Sequence, residues 1–277
     1  MVSFHHPDYN ANFHKWKLIR DTIAGDVRAY VPKLEGQSDK EYQAYVNRPS
    51  FYNATSRTLD ALVGLMFSKD PEFKAPKALE DIAKNITLNG DTLNDFSKLC
   101  VRESLQTARN GILVDMPSVY RANFSKADEE KLNLRSYARL YKAESIINWD
   151  TYNHNGVEIL SQVVLEETYL KSKNEFEKEL KTRWRVLDLD EGKYRQRVFE
   201  TDDLDDKKIN QIGEDAIIII NGSTIDYIPF FFFGVNTTKP DIEKSPIFLL
   251  NSFSRCLIAF LLLSFAALIY LSQTLST

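Results

Sequence analysis

The hydrophobic pattern of this chain changes its period partway along, and that change limits the folds open to it. Up to about residue 110, apolar residues recur every three or four positions, as on one face of a helix. From Tyr137 onward they alternate with polar residues, as in half-buried strands. The alternating segments are 137–150, 156–170, 183–199 and 216–233. The pattern predicts an α+β fold in one folding unit, with N-terminal helices over 8–110 packed on a mostly antiparallel β-sheet over 112–234.

The best-marked helix lies between residues 48 and 73. Asn53 can accept a hydrogen bond from a free amide of the first turn, and Pro71 is expected to stop the helix. Its apolar face carries Leu59, Leu62, Val63 and Met66. Gly64 costs about 1 kcal/mol relative to Ala, which a helix accepts most readily where another element packs close to the backbone. A core-facing helix and a helix in a subunit contact both fit this pattern.

Two further helices are indicated on either side. The first covers residues 8–30, and its apolar side carries Phe13, Trp16, Ile19, Ile23 and Val27. The second begins at Thr92, which with Asp95 resembles a capping box, and runs to about Ala108. Its apolar face carries Leu93, Phe96, Leu99 and Cys100. The pair Asn110-Gly111 is expected to end this helix in a left-handed conformation, and residues 112–114 to form a buried strand.

Turn residues punctuate the second half of the chain. The last two alternating segments contain Glu191-Gly192 and Asn221-Gly222. Asn221-Gly222 predicts a two-residue hairpin, since both of its residues favour positive φ, and residues 153–156 predict another turn. The charged intervals 171–182 and 201–215 are predicted to be solvated loops, with a helical excursion possible in the first. Residues 121–135 are predicted to be an exposed excursion.

Composition and motifs give little sign of chemistry. The net charge of −4 provides no basic field for gripping nucleic acid. Phosphate-loop, dinucleotide, zinc-protease and nucleophile-elbow patterns are absent. Among the histidines, His5, His6 and His14 have only Asp8 close by in sequence to complete a ligand set. We therefore expect no catalytic residue, no metal and no cofactor, and a chain that is not an enzyme; an enzyme with a novel site is the remaining alternative.

The C-terminal segment is unusually apolar. Residues 256–271 form a run of 16 residues that only Ser264 interrupts. As a helix this run would span roughly 24 Å, slightly short of a hydrocarbon core about 30 Å thick. Such a helix is awkward in the core of a soluble protein of this size. An apolar C-terminal helix is therefore predicted, and a tail-anchored membrane protein with a soluble interaction module is one reading of the chain.

Three blocks of sequence, read in order, resemble the portal proteins of tailed bacteriophages, specifically a portal-like family long catalogued as a domain of unknown function. The residues that carry the resemblance in the first block are Arg48, Asn53, Arg57, Gly64, Lys69, Asp70 and Pro71. Those in the second are Arg109, Gly111, Asp115 and Pro117. Those in the third are Tyr141, Glu144, Asn148 and Trp149. With a helix near the start and a strand at 161–167, the resemblance spans about residues 7–234.

The resemblance implies a mechanical part of a virion. Portal proteins form a ring, usually of twelve copies, at one capsid vertex; double-stranded DNA passes through its channel without sequence specificity. The implied partners are other copies of the chain, the packaging terminase, capsid proteins and head-tail adaptor proteins. The implied location is the capsid vertex and the host cytoplasm. Near-neutral charge fits a conduit, because a wall of lysines and arginines would hold the phosphates. The motif residues are expected to be structural or to lie in subunit contacts.

The chain departs from the portal pattern after about residue 248. There an amphipathic helix and a longer region are expected, and an apolar stretch follows instead. We hypothesise that a shifted reading frame or a truncated gene replaced the portal sequence. The expected domains are then a portal-like, wing-like body over 1–244 and an apolar tail over 245–277 that is not native portal sequence. Under the membrane-anchored alternative, the tail is genuine and places the protein at a membrane.

Overall fold

The computed structural model describes residues 1–48, 51–74, 76–116, 135–202, 208–220 and 223–234. The helices are α1 (Pro7–Ala24), α2 (Asp39–Asn47), α3 (Ala54–Met66), α4 (Lys77–Ala83) and α5 (Leu93–Thr107), with 3₁₀ turns at Arg28–Tyr30 and Ala143–Ser145. The strands are β1 (Arg109–Asp115), β2 (Tyr137–Lys142), β3 (Ile146–His154), β4 (Val157–Ser172), β5 (Lys178–Asp190), β6 (Lys193–Thr201), β7 (Ile209–Ile217), β8 (Ile219–Ile220), β9 (Ser223–Thr224) and β10 (Phe230–Gly234). The α+β class and the antiparallel pairing are confirmed. The predicted apolar C-terminal helix and Pro117 lie outside the described residues.

The strands form two larger sheets rather than the single predicted one. A three-stranded antiparallel sheet has the order β10-β1-β2, and a five-stranded meander has the order β3-β4-β5-β6-β7. The β3–β4 turn holds Asn155 and Gly156 at φ 53° and 85°, and the β5–β6 turn holds Glu191 and Gly192 at φ 49° and 76°. The predicted turn at 153–156 is confirmed, and Glu191-Gly192 likewise forms a two-residue turn with positive φ at both central residues. Asn221-Gly222 lie outside the described residues, between the paired strands β8 and β9.

Layer stacking explains why β1 is buried along its whole length. On one face of the three-stranded sheet, Ile112 and Val114 share a core with Phe96, Cys100 and Val101 of α5. On the other face, the core joins this sheet to the five-stranded sheet and α1, through Leu113, Tyr141, Phe230, Val163, Leu165, Leu187 and Trp16. β1 therefore lies between a helix and a second sheet, and contacts with both faces shield its backbone from water.

The helix ends differ from several predictions. α1 ends at Ala24, six residues early, where Gly25 takes φ 84° and its N–H bonds to carbonyls of the last turn. Asn53 caps α3 as predicted, accepting from Ser56 N at 2.9 Å. The helix ends at Met66, however, well before Pro71. Phe67 leaves the helix and packs against the α5 cluster, so tertiary packing ends the helix before the proline does.

The predicted end of α5 at about Ala108 is confirmed, but the residues predicted to terminate it are wrong. Thr92 caps the helix as expected, accepting from Asp95 N at 3.2 Å. Ala108, at φ 56°, is the left-handed residue, and Asn110 and Gly111 lie in β1. The Asn110 amide is used elsewhere, since it donates to the Cys100 carbonyl at 2.9 Å and to Ser104 Oγ at 2.8 Å. Leu99, placed on the apolar face by its spacing, has 47% of its surface exposed.

Two charged intervals predicted as loops are largely strands. Residues 171–182 form the end of β4, a turn and the start of β5, and residues 209–215 belong to β7. Their charged side chains do not prevent pairing, because strands beyond the core can present charge to water. Most of the predicted excursion at 121–135 lies outside the described residues.

Candidate functional site

The Arg109 guanidinium is buried in an aromatic cage. Its central carbon lies 3.9 Å from the centre of the Trp149 ring, 5.4 Å from that of Phe232 and 5.5 Å from that of Trp16. Arg109 is 2% exposed, and its Nη2 donates to the Ile146 carbonyl at 3.3 Å. Its Nε and Nη1 have no hydrogen-bond acceptor among the described residues. Burial lowers the pKa of Arg109, whereas the ring faces favour its charged form.

The N-terminal segment covers the outer side of this cage. The His6 ring stacks on Trp149 with centroids 3.9 Å apart. The backbone N–H of His6 donates to the Ile147 carbonyl at 2.9 Å. Burial lowers the pKa of His6, against the opposing effect of Asp8. His6 Nδ1 also accepts from Asp8 N at 3.1 Å and so caps α1. The histidine that sequence reasoning weighed as a metal ligand is thus engaged in packing and capping.

Gly111 creates the space for the neighbouring aromatic residues. A Cβ at Gly111 would overlap the Phe230 ring of β10. Phe230 packs edge-on against Phe232 of the cage, with centroids 5.2 Å apart, and against Tyr141 at 6.2 Å. The glycine in the second motif block is therefore required by close packing between two strands of one sheet.

A network of charged side chains lies between the two larger sheets. Arg185 Nε donates to Glu167 at 3.0 Å, and its Nη1 lies 3.4 Å from Asp115. Asp115 also accepts from Gln196 at 2.8 Å, while Glu167 accepts from the Tyr141 hydroxyl and from Arg183. Burial alone would raise the pKa of Glu167, but Arg185 and Arg139 outweigh it and lower that pKa to about 2.

A second ionic cluster joins α1 to α5 and to the turn before β3. Arg20 donates to Glu144 at 2.8 Å and to Gln106 at 2.7 Å, and its Nη2 lies 2.5 Å from Glu103. Burial opposes the charge on Arg20, but Glu144 and Glu103 outweigh it and raise the pKa of Arg20. Glu144, from the third motif block, thus ties the helical layer to the sheets.

The first motif block is distributed along the helices. The Asn53 amide donates to the carbonyls of Thr22 and Ile23 at 2.9 and 2.8 Å, so the capping residue of α3 also holds the end of α1. Arg57 lies over the Tyr52 ring at 4.8 Å, and Arg48 is exposed after α2. A Cβ on Gly64 would meet nothing within 4 Å. No element among the described residues therefore packs closely against Gly64, contrary to that expectation, and the subunit-contact reading stays a prediction.

The remaining motif residues have more modest places. Asn148 lies in β3 directly after a register shift at Ile146. Asp70 accepts from the Asn94 amide at 3.0 Å, and Pro71 lines a cavity of about 250 Å³. Lys69 is exposed.

Sequence reasoning missed several residues that hold the site together. They are Arg20, Glu103, Glu167, Arg185 and Gln196. A signal was present in the strands, where Glu167, Arg183 and Arg185 interrupt apolar positions on β4 and β5. Within the ranges that the structure describes, no three acidic, histidine or cysteine side chains gather as a metal site would require.

An open groove lies between α5 and β2, the edge strand of the three-stranded sheet. Its volume is about 650 Å³, and its apolar lining includes Leu88, Phe96, Leu99 and Leu140. Asp91 and Asp95 line it as well. No sequence pattern singled out this groove, because it forms between elements about forty residues apart.

Comparisons with protein-family models and with curated proteins find no match to this chain. Among the residues that the structure describes, no helix combines the length and apolarity that crossing a bilayer requires. The apolar run 256–271 lies outside those residues. The link between this fold and a function therefore depends on the motif residues and on where the fold places them.

Proposed function

We propose that residues 1–244 are the body of a phage portal subunit, a structural part of the ring at the capsid vertex through which DNA is packaged and ejected. The observation that carries this proposal is the convergence of two motif blocks. Arg109, from the second block, lies against Trp149, from the third, at 3.9 Å, although 40 positions separate them in the sequence. Motif residues that form one buried cluster act as a unit, which supports reading the blocks together.

Contacts of the other motif residues support the same proposal. Glu144 binds Arg20 of α1, and Asn53 holds the end of α1 to the start of α3. Gly111 admits Phe230 beside the cage. These contacts join the helices to one another and to the sheets, as expected of a ring subunit that presents one fixed surface to each neighbour. On this proposal the interior residues are structural, and partners bind at the surface.

The first test is the nucleotide sequence beyond codon 248, read in all three frames. A continuation in another frame that encodes an amphipathic helix and a further long region supports a broken portal gene. A stop without any such continuation overturns the portal-fragment reading and favours the membrane-anchored module, which the apolar run 256–271 suggests. Partition of the 277-residue chain between a soluble fraction and a detergent-dependent membrane fraction then tests that alternative.

The second test is assembly. The 277-residue chain and a version rejoined to its continuation are purified and examined by native mass spectrometry and negative-stain electron microscopy. The proposal expects closed rings, usually of twelve, from the rejoined chain. A variant of the rejoined chain, Trp149→Ala, removes the aromatic face under Arg109. We expect it to lower the yield of rings together with the stability of the subunit. A folded rejoined chain that remains monomeric would contradict the proposal.

A further inference from the structure

Three asparagine–glycine pairs lie within the described ranges, and their positions are 89–90, 110–111 and 155–156. A fourth pair, at 221–222, lies outside those ranges. Asparagine is thermolabile in water, because the backbone nitrogen of the next residue can attack its side-chain carbonyl carbon. Glycine allows this attack most readily, since it has no Cβ to hinder the close approach of its backbone. Each pair is therefore a candidate for spontaneous deamidation, and its surroundings decide whether it reacts.

The reaction needs only a free glycine nitrogen and water. The nitrogen loses its proton to solvent and bonds to Cγ of the asparagine, the bond from Cγ to Nδ2 breaks, and the amide group takes up a proton and leaves as ammonia. Water then opens the cyclic imide at either carbonyl, which leaves aspartate or isoaspartate. A glycine N–H that is donated to a fixed acceptor is less free to lose its proton and cannot turn towards Cγ.

The N–H of Gly90 is donated to a second asparagine. It lies 2.8 Å from Asn85 Oδ1. The loop around it is closed by another hydrogen bond, because the N–H of Ile86 donates to the Asp91 carbonyl at 2.9 Å. Asn89 and Gly90 are both exposed, so water reaches this pair and burial does not protect it. The hydrogen bond to Asn85 is what keeps the attacking nitrogen occupied.

The turn between β3 and β4 repeats this arrangement. The N–H of Gly156 donates to Asn153 Oδ1 at 2.9 Å, and Asn155 and Gly156 are again exposed. The two loops are otherwise unlike, since one lies between α4 and α5 and the other is a two-residue hairpin turn. Two unrelated loops thus place an asparagine oxygen on the nitrogen that would attack. We call Asn85 and Asn153 the guard residues.

The pair at 110–111 is held by its strand instead. Asn110 is 0% exposed, and its side-chain amide donates to the Cys100 carbonyl at 2.9 Å and to Ser104 Oγ at 2.8 Å. Gly111 lies in the central strand of the three-stranded sheet. The amide that would be lost and the nitrogen that would attack are therefore both fixed. This pair serves as an internal standard that reacts only when the chain unfolds.

We infer that Asn89 and Asn155 are latent deamidation sites, and that the guard residues slow their reaction by accepting hydrogen bonds from the attacking glycine nitrogens. Reaction at position 89 would add a carboxylate beside Asp91 in the groove between β2 and α5. Isoaspartate at either position would also lengthen the backbone of a closed loop. This chemistry is independent of the proposed function, because it depends on two loops of one chain and not on assembly.

Peptide mapping by mass spectrometry, with a separation that resolves isoaspartate, tests the inference on the full-length chain. The parent, Asn85→Ala and Asn153→Ala are incubated at mildly alkaline pH. Asn85→Ala should speed deamidation at position 89 by about three- to tenfold, the effect of losing one hydrogen bond, and leave position 155 unchanged. Asn153→Ala should do the reverse, so each variant is the control for the other. Thermal unfolding followed by circular dichroism checks that both variants fold.

Aspartate at the guard positions provides a second comparison. Asn85→Asp and Asn153→Asp keep the accepting oxygen and bring negative charge beside the nitrogen, which opposes loss of its proton. Both should therefore react no faster than the parent. In urea the guard hydrogen bonds are lost, so all five chains should react alike at each position and faster than the folded parent, and the pair at 110–111 should begin to react.

Four results would overturn the inference. An alanine variant that reacts at the parent's rate rules out the guard at that position. Acceleration at both positions by one alanine variant would indicate general loosening of the fold. Aspartate variants as fast as the alanine variants would show that the accepting oxygen is not what protects the pair. A folded parent that reacts at positions 89 and 155 as fast as the chain in urea would show that neither pair is protected.

Discussion

Two arginines in the interior of this protein are held in different ways. Arg185 lies between two carboxylates, Glu167 and Asp115, which raise its pKa although burial opposes the charge. Arg109 lies among ring faces, with Trp149 nearest, and burial lowers its pKa. A buried cation can thus be accommodated by opposite charge or by polarisable aromatic faces. Loss of the cation leaves two buried carboxylates behind in the first arrangement, and ring faces with one backbone carbonyl, that of Ile146, in the second.

The largest expected difference follows from replacing each arginine by methionine. Arg185→Met removes the cation beside buried Asp115 and one of three arginines beside Glu167, and we expect the free energy of unfolding to fall by about 3–5 kcal/mol. Urea denaturation followed by circular dichroism measures the change. Arg57→Met, at an exposed arginine over Tyr52, is the matched control and should stay within about 0.5 kcal/mol of the parent. Equal losses of unfolding free energy at positions 185 and 57 would show that the buried carboxylates do not depend on Arg185.

The pH dependence of stability tests the carboxylate side. The pKa of Glu167 in the folded protein is about 2, below its ordinary value of 4.5, so its stabilisation is present above pH 4.5 and is lost as pH falls towards 2. We expect the parent to exceed Glu167→Gln in unfolding free energy by about 3 kcal/mol at pH 7. The gap should shrink steadily between pH 4.5 and 2. A gap independent of pH would show that packing, rather than charge, is responsible.

Gly111 offers a way to disturb both regions at once. Its Cα faces the Phe230 ring, which packs against Tyr141 of the ionic network and Phe232 of the cage. Gly111→Ala should lower the unfolding free energy by about 1–3 kcal/mol through overpacking. Adding Phe230→Leu should return part of that loss. If the double variant is no more stable than Gly111→Ala, the strain arises elsewhere.

The smallest effect is expected at Arg109 itself. Arg109→Met loses a cation–π contact of about 0.5–2 kcal/mol but also removes two buried nitrogen atoms that find no acceptor in the described ranges. These terms oppose each other, so we expect the unfolding free energy to change by less than about 1 kcal/mol. Thermal denaturation of Arg109→Met, in parallel with Arg185→Met and the parent, measures this change. A loss as large as that at position 185 would show that ring faces and carboxylates hold a cation equally firmly.

The sequence predicted what local chemistry decides. The caps at Asn53 and Thr92, the turn at 153–156 and the α+β division all follow from side chains acting on their own neighbourhood. The end of α3 at Met66 and the inclusion of Asn110 in β1 could not be predicted, because both depend on contacts with another element. Phe67 packs against the α5 cluster, and the Asn110 amide donates to Cys100 and Ser104 of α5. The Arg109–Trp149 contact has the same character: both residues stood out as motif positions, yet nothing in their spacing placed one over the other.

The pairing of β10 with β1 has a consequence for the order in which the chain can fold. The five-stranded meander joins neighbours in sequence, so it can assemble as the chain emerges. β1, in contrast, pairs Arg109 with Gly234, and contacts between residues so far apart form slowly. During synthesis, the edge of β1 that pairs with β10 therefore stays unpaired until β10 has left the ribosome. A nascent chain stopped before Phe230 would therefore expose the unpaired edge of β1, which can pair with strands of other chains.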